Sequence, residues 1–298
     1  MFGSALPGSP ARAAAAITAG AIPTASSNNN DGSMTFRIAT WNINSVRLRL
    51  KLLERLIATA APDIICLQET KTEDQYFPHE AIDALGYPHR FVSGMKGYNG
   101  VAILSRLPFK QTTTRDCVER SDCRYGFVTI AGGIELHNCY VPAGGDIPDP
   151  KANEKFAHKL AFLEELAAWW ADRRKSRTRA VLVGDFNVAP LETDVWSHTQ
   201  LLKVVSHTPV EVKLLKDVMA SHDWTDAVRH FIDPNEQLYT WWSYRATDWA
   251  KSDRGRRLDH VWVTPALKRT LRSASVLRDA RGWQGPSDHV PVIVDLEI

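Results

Sequence analysis

The chain has 298 residues, 44% hydrophobic and 23% charged, an ordinary globular composition with apolar material for a large core. A formal net charge of +2 is too small to mark a nucleic-acid binder by charge alone, so any basic surface must be local. No run approaches the roughly 18 apolar residues needed to span a bilayer, and the cysteines (Cys66, Cys117, Cys123 and Cys139) lack zinc-site or CxxC spacing.

The expectation is a soluble, cytoplasmic protein with reduced thiols, in which Cys66 and Cys139 fill core space. Residues 1–33 are small and polar, with no aromatic after Phe2. Arg12 before an alanine-rich patch has the outline of a signal peptide, but the patch is weakly apolar with little basic character ahead of it. The preferred reading is a disordered extension, or an over-long start with Met34 as the natural first residue. From 34 to 298, strand and helix signals alternate without a Gly/Ser/Pro-rich linker, which predicts one domain.

In chain order, "FRIATWNI" reads as a strand and "RLRLKLLERLIATAA" as a helix with Leu48, Leu52, Leu53, Leu56 and Ile57 at helical spacing. "DIICLQET" is a buried strand, and "YNGVAILS" a strand opened by an Asn-Gly turn signal. "RYGFVTIA" and "IELHNCYVP" pair across Gly132-Gly133. "NEKFAHKLAFLEELAAWWADRRK" is a long amphipathic helix with basic residues at its C-terminal end, suiting the helix dipole. "AVLVGDF" is a buried strand, "EVKLLKDVMASH" a shorter helix, and "RLDHVWVTP" and "HVPVIVDLEI" are closing strands.

Polar residues collect at the ends of these strands. Asn42 and Asn44 stand two apart in "TWNINS", as Asp185 and Asn187 do in "GDFNV", and residues two apart on a strand share a face. Gln68 and Glu69 end one strand, while Asp259–His260 and Asp288–His289 begin two others. With antiparallel neighbours those ends lie side by side. One sheet edge then gathers Glu69, Asp185, Asp259, Asp288, His289 and the asparagines. Clustered carboxylates repel one another unless a positive charge sits among them, and an all-oxygen set favours Mg²⁺ or Mn²⁺ over zinc. Each residue alone reads as a turn or cap, and His260, Asp63 and Asp295 read as structural.

At these residues the sequence resembles the exodeoxyribonuclease III / AP endonuclease family, part of the endonuclease–exonuclease–phosphatase superfamily. The motifs, in that family's order, are "WNINSVR", "LQETK", "YNGVAILSR", "NCYVPAGG", "GDFNVAP", "TWWSYR", "RLDHVW" and "SDHVPV". The resemblance implies an α/β fold, a four-layer α/β/β/α sandwich with two packed mixed sheets. It implies Mg²⁺-dependent hydrolysis of DNA phosphodiesters, with Mn²⁺ as substitute. The substrate is duplex DNA with abasic sites or 3′ ends: cutting 5′ to an abasic site, 3′→5′ exonuclease and 3′-end cleaning. No membrane partner is implied, and a monomer is the default.

The resemblance also assigns roles. Glu69 is the main metal ligand, with Asn42 and Asn44 beside it, and Asp185, Asn187, Asp288 and His289 complete the metal-proximal set. Some relatives carry Asp where Asn44 stands, which removes one possible anionic ligand. Asp185 is the general base, Asn187 fixes water or phosphate, and His289 donates to the phosphate with Asp259 holding its ring. Tyr140 touches the phosphate or helps the leaving group, and Asp288 binds metal or relays a proton. Asn44, Lys71, Asn99, Trp241, Arg245 and Leu258 face substrate. In "TWWSYRATDWAKSDRGRRLDH", aromatics are interleaved with Arg245, Lys251, Arg254, Arg256 and Arg257, as a DNA-facing loop requires. A neutral apolar pocket at Trp241 and Leu258 then admits a bare deoxyribose and rejects an intact base. The rival readings are a catalytically inactive nucleic-acid-binding or scaffold member and a lipid or small-phosphate phosphodiesterase. No amphipathic membrane-facing segment supports the last.

Overall fold

The computed structural model describes residues 34–298; the extension expected over 1–33 lies outside the described residues. The main strands are β1 (Thr35–Asn42), β2 (Ile64–Gln68), β3 (His89–Met95), β4 (Tyr98–Ser105), β5 (Gln111–Thr114), β6 (Tyr125–Ile130), β7 (Ile134–Tyr140) and β8 (Ala180–Asp185). They continue with β9 (Thr225–Asp226), β10 (Trp241–Trp242), β11 (Gly255–Arg256), β12 (Asp259–Val263), β13 (Leu271–Val276) and β14 (Val292–Glu297). The helices are α1 (Leu50–Ala60), α2 (His79–Ala84), α3 (Glu154–Asp172), α4 (His198–Leu201), α5 (Pro209–Ser221) and α6 (Trp249–Ser252).

Two six-stranded sheets run β13-β14-β1-β2-β4-β3 and β5-β6-β7-β8-β12-β9. Both are mixed: β1 is parallel to β2 and antiparallel to β14, while β7 is parallel to β8 and β8 antiparallel to β12. The continuous apolar strand sequences follow from burial on both faces. In β2, Ile64 and Cys66 point into the core between the sheets with Val181, Val183 and Val261, whereas Ile65 and Leu67 point outward against Leu53 and Leu56 of α1. On the far side, Leu182 and Trp262 meet Phe162 and Leu166 of α3 and Leu215 and Val218 of α5. The result is the expected α/β/β/α layering.

One polar residue ties the two sheets together. Asn138 of β7, fully buried, donates to the carbonyls of Leu67 and Ala102 at 2.9 Å each and accepts from Gln68 Nε2 at 2.7 Å. Asn138→Ala strands several buried polar groups at once, and a loss of about 3 kcal/mol is expected. Urea unfolding should show this as a lower midpoint at unchanged slope.

Three expectations need correction. Leu48 does not belong to α1, which starts at Leu50; it sits in the preceding turn at 81% exposure, because the apolar spacing continues past the residues that adopt helical backbone. α3 ends at Asp172, so Arg173 to Lys175 follow the helix instead of closing its last turn. β14 begins at Val292, and His289 precedes it, joined to Trp241 by an isolated bridge.

Candidate active site

The carboxyl ends of β1, β2 and β8 meet the amino end of β12 and the segment before β14. Register does the work: Asp259 pairs directly with Asp185 across β12 and β8, and Asn42 with Gln68 across β1 and β2. Gly184 makes the approach to Asp185 possible. Its φ is +138°, and a Cβ there would lie 1.9 Å from the Cys139 carbonyl of β7.

Past the strand ends the pleat argument fails. Asn44 and Asn187 lie beyond β1 and β8 with φ of 49° and 53°, so neither shares a strand face with its partner. They still meet those partners through side-chain turns: Asn42 Oδ1 accepts from the Asn44 amide at 3.2 Å, and Asp185 Oδ1 from the Asn187 amide at 2.9 Å. Glu69 adopts the same left-handed backbone, with φ of 51°. Lys71 and Asn99 follow, with φ of 52° and 45°, so five of the expected site residues occupy conformations that ordinary side chains avoid.

At the floor, Asp185 Oδ2 accepts from Asn42 Nδ2 at 2.9 Å and Asn187 Nδ2 at 3.1 Å, and lies 3.6 Å from His289 Nε2. His289 Nδ1 lies 2.8 Å from Asp259 Oδ2. Burial pulls the imidazole down, but Asp259 and Asp185 on either side raise it to about 10, so it stays protonated. Burial pushes the Asp185 carboxyl up to about 7, against the pull of His289 and with Asp259 and Glu69 adding to the rise. Asn42 and Tyr140 both donate to Glu69 Oε1, at 2.9 and 2.8 Å, and Lys71 Nζ lies 2.7 Å from Oε2. Burial acts to raise Glu69, but Asn42 and Lys71 outweigh it and hold its carboxyl low. Asp288 takes Trp241 Nε1 at 3.0 Å and Asn44 Nδ2 at 3.2 Å.

The donor set fits a hard cation. Glu69 and Asp288 line the cleft with oxygen ligands. Glu69 and Asp185 carry like charge on either side of Asn42, a repulsion that a cation held there would offset. Asp185, Asp259 and His289 also offer ligand atoms within 4.8 Å of one another. There the protonated ring already bridges the two carboxylates, so Glu69 is the better anchor.

A cleft of about 580 Å³ opens over this floor, lined by Glu69, Asn187, Asp288, His289, Trp241, Arg245 and Leu258. Lys71 lines a neighbouring cavity with Arg47 and Lys96. Of the other expected substrate residues, Asn44 lies outside the cleft lining, bonded to Asp288 and Lys71, and Asn99 is further removed. It is buried at 1% exposure, its amide donates to the Asp122 carbonyl at 2.8 Å, and its own carbonyl accepts from the Lys71 amide. It supports the Lys71 loop and does not line the cleft. Of the paired tryptophans, Trp242 is core and Trp241 faces the cleft, as strand alternation requires. Arg257 is not DNA-facing: it is 1% exposed and spends its charge on Asp194 and Asp226. His260 packs, stacked on Phe186 at 5.0 Å.

Sequence reasoning missed Lys159 altogether. Fully buried in α3, it donates to the carbonyls of Asn187 at 2.7 Å and Ala143 at 3.3 Å and pairs with Glu211 of α5 at 2.5 Å. A lysine on an amphipathic helix reads as surface, and no sequence signal marks it otherwise.

The chain is similar to proteins of known sequence and structure along most of its length. The chain is 27% identical over 277 residues to "Exodeoxyribonuclease III" of Haemophilus influenzae, covering 86% of this chain and 98% of that one. It is similar to the structure of an AP endonuclease from Archaeoglobus fulgidus, with a TM-score of 0.81 and 34% identity over 87% of this chain and 98% of that one. It is similar, too, to the 3′ phosphatase NExo from Neisseria bound to a product DNA hairpin, with a TM-score of 0.79 and 30% identity over 88% of this chain and 99% of that one. The sequence profile of the Endonuclease/Exonuclease/phosphatase family matches residues 39–289, and the chain belongs to that family.

Proposed function

We propose that the chain is a Mg²⁺-dependent DNA-repair phosphodiesterase that cuts 5′ to abasic sites and removes nucleotides or blocking groups from 3′ ends of duplex DNA. The observation that carries this is the convergence of Glu69, Asp185, Asn187 and the Asp259–His289 pair, drawn from both sheets, beneath one cleft walled by Trp241 and arginines. The names of the similar proteins, an exodeoxyribonuclease, an AP endonuclease and a 3′ phosphatase with product DNA, support the same substrate class.

Glu69, with Asp288 and Asn42 beside it, would hold a divalent cation, which would supply positive charge to offset the negative charge growing on the phosphate. Asp185 takes a proton from the attacking water as the new O–P bond forms and the bond to the departing 3′ oxygen breaks. Asn187 holds Asp185 in place: its Nδ2 protons go to the Val141 carbonyl at 2.9 Å and to Asp185 itself. His289, kept protonated by Asp259, donates from Nε2 to a non-bridging oxygen. Tyr140 orients Glu69 through its hydroxyl, which burial keeps protonated.

The test is a labelled duplex carrying one abasic analogue, with an undamaged recessed duplex and a lipid substrate alongside. With Mg²⁺ a nick 5′ to the analogue and shortening of the 3′ end are expected, and with EDTA neither. Binding without cutting in Mg²⁺ would establish a scaffold instead, and lipid turnover with inert DNA the rival enzyme.

A further inference from the structure

The cleft is not the neutral apolar pocket that its Trp and Leu suggest. Arg256 of β11 forms one wall, its guanidinium 5.1 Å from the centre of the Trp241 ring. Trp241 donates from its other end to Asp288, so a single indole separates Arg256 from the reacting floor.

The charge of Arg256 is not spent within the fold. Its Nη1 donates to the Val205 carbonyl at 2.9 Å and to Ser206 Oγ at 2.7 Å, both neutral, and its buried Nε has no partner. The next residue, Arg257, is answered by two aspartates. The acid whose field reaches Arg256 is Glu211, which already pairs with Lys159 and accepts from Ser206 and Thr208. One carboxylate therefore serves two half-buried or buried cations. Burial lowers the guanidinium, the direction expected of a cation short of counter-charge.

Two further arginines line the same cleft: Arg254, 4.6 Å over the Trp196 ring, and the exposed Arg245. Asp146 lines it too, but among the described residues it makes no ion pair with any of the three. Guanidinium groups beside an aromatic wall, none of them in an ion pair with a described carboxylate, match a phosphate diester of the nucleic-acid backbone.

We propose that Arg256, supported by Arg254 and Arg245, binds a second DNA phosphate adjacent along the strand to the one being cut, and so sets preference for a nucleotide flanked by phosphates on both sides. This rests on the nuclease reading above and goes beyond it by assigning a second anion subsite.

A neutral methylphosphonate in place of each flanking phosphate, one at a time, tests the assignment. The substrates are abasic duplexes, the proteins wild type, Arg256→Leu, Arg256→Lys and Arg254→Ala, and the readout kcat/KM. At one of the two positions the wild type should lose about tenfold or more, the worth of a hydrogen bond to a charged group. Arg256→Leu should lose no more than about twofold from the same replacement, since it no longer makes that bond. Arg256→Lys should fall between, and Arg254→Ala should weaken the same position's effect. Equal losses in wild type and Arg256→Leu at both positions overturn the proposal. So does a wild type indifferent to both replacements, whether or not the variants fold. A wild type inert on the unmodified duplex marks failure of the nuclease reading itself.

Discussion

Asp185→Asn is expected to slow DNA cutting by about a thousandfold or more, within the range lost when a positioned general base is removed. Duplex affinity should change little, because Asp185 lies beneath the cleft at 1% exposure and the cationic walls are untouched. Asparagine keeps the shape and the contact to the Asn187 amide but has no basic oxygen for the water's proton. The loss is not one of folding, and the linkage shows why. Asp185 has its carboxyl raised from 3.8 to about 7 in the folded chain, so its contribution to stability is fully present below about pH 3.8 and is lost as pH rises through about 7. Asparagine removes that loss. Against that gain, its Nδ2 would face the Asn42 and Asn187 side-chain amides and protonated His289, so at pH 8 the variant should melt within a few degrees of the wild type. Single-turnover kinetics, filter binding and thermal melting on the same preparation check all three statements. Cutting within tenfold of wild type would strip Asp185 of its role.

Lys159→Met should have the largest effect on stability, a loss of about 3–5 kcal/mol, the usual cost of removing one partner of a buried ion pair. The ammonium has three donors and three acceptors: the Asn187 carbonyl, the Ala143 carbonyl and Glu211. Methionine fills the space and answers none of them, leaving the Glu211 carboxylate in the core at 0% exposure. Lys159→Met with Glu211→Gln should recover more than half of the loss, because the stranded charge is gone and the amide retains an acceptor for Ser206 and Thr208. Recovery of stability need not restore turnover. The loop that carries Asn187 is still unanchored, so kcat should stay depressed in the double variant while KM recovers. Urea titration and steady-state kinetics separate the two effects. A single variant as stable as wild type would contradict the buried pair.

The layers were legible because strands buried on both faces leave unbroken apolar runs such as Ile64 to Leu67, which few other structures require. The polar edge that carries the candidate site was legible because polar residues closed those runs in strand after strand. The pairing of Asn42 with Asn44, and of Asp185 with Asn187, was right as contact and wrong as cause. The strands end two residues before Asn44 and Asn187, too soon for pleat alternation, and a side-chain turn replaces it. Charge was read least well. Arg256 and Arg257 look alike in the sequence, yet Arg256 at the end of β11 lines the cleft while Arg257, just past it, turns inward to Asp194 and Asp226. Lys159 was invisible because its acceptors come from loops far along the chain, and nothing local to α3 announces them.

Asn42, Glu69 and His289 hang from one sheet, and Tyr140, Asp185 and Asp259 from the other. The proposed site therefore sits on a seam, and neither half of the molecule carries it alone. Sliding one layer past its neighbour by a fraction of an ångström would break the Asn42–Asp185 and Tyr140–Glu69 links before any strand unzipped. Turnover in this enzyme is thus a gauge of alignment between its layers, and warming should silence it ahead of the melt.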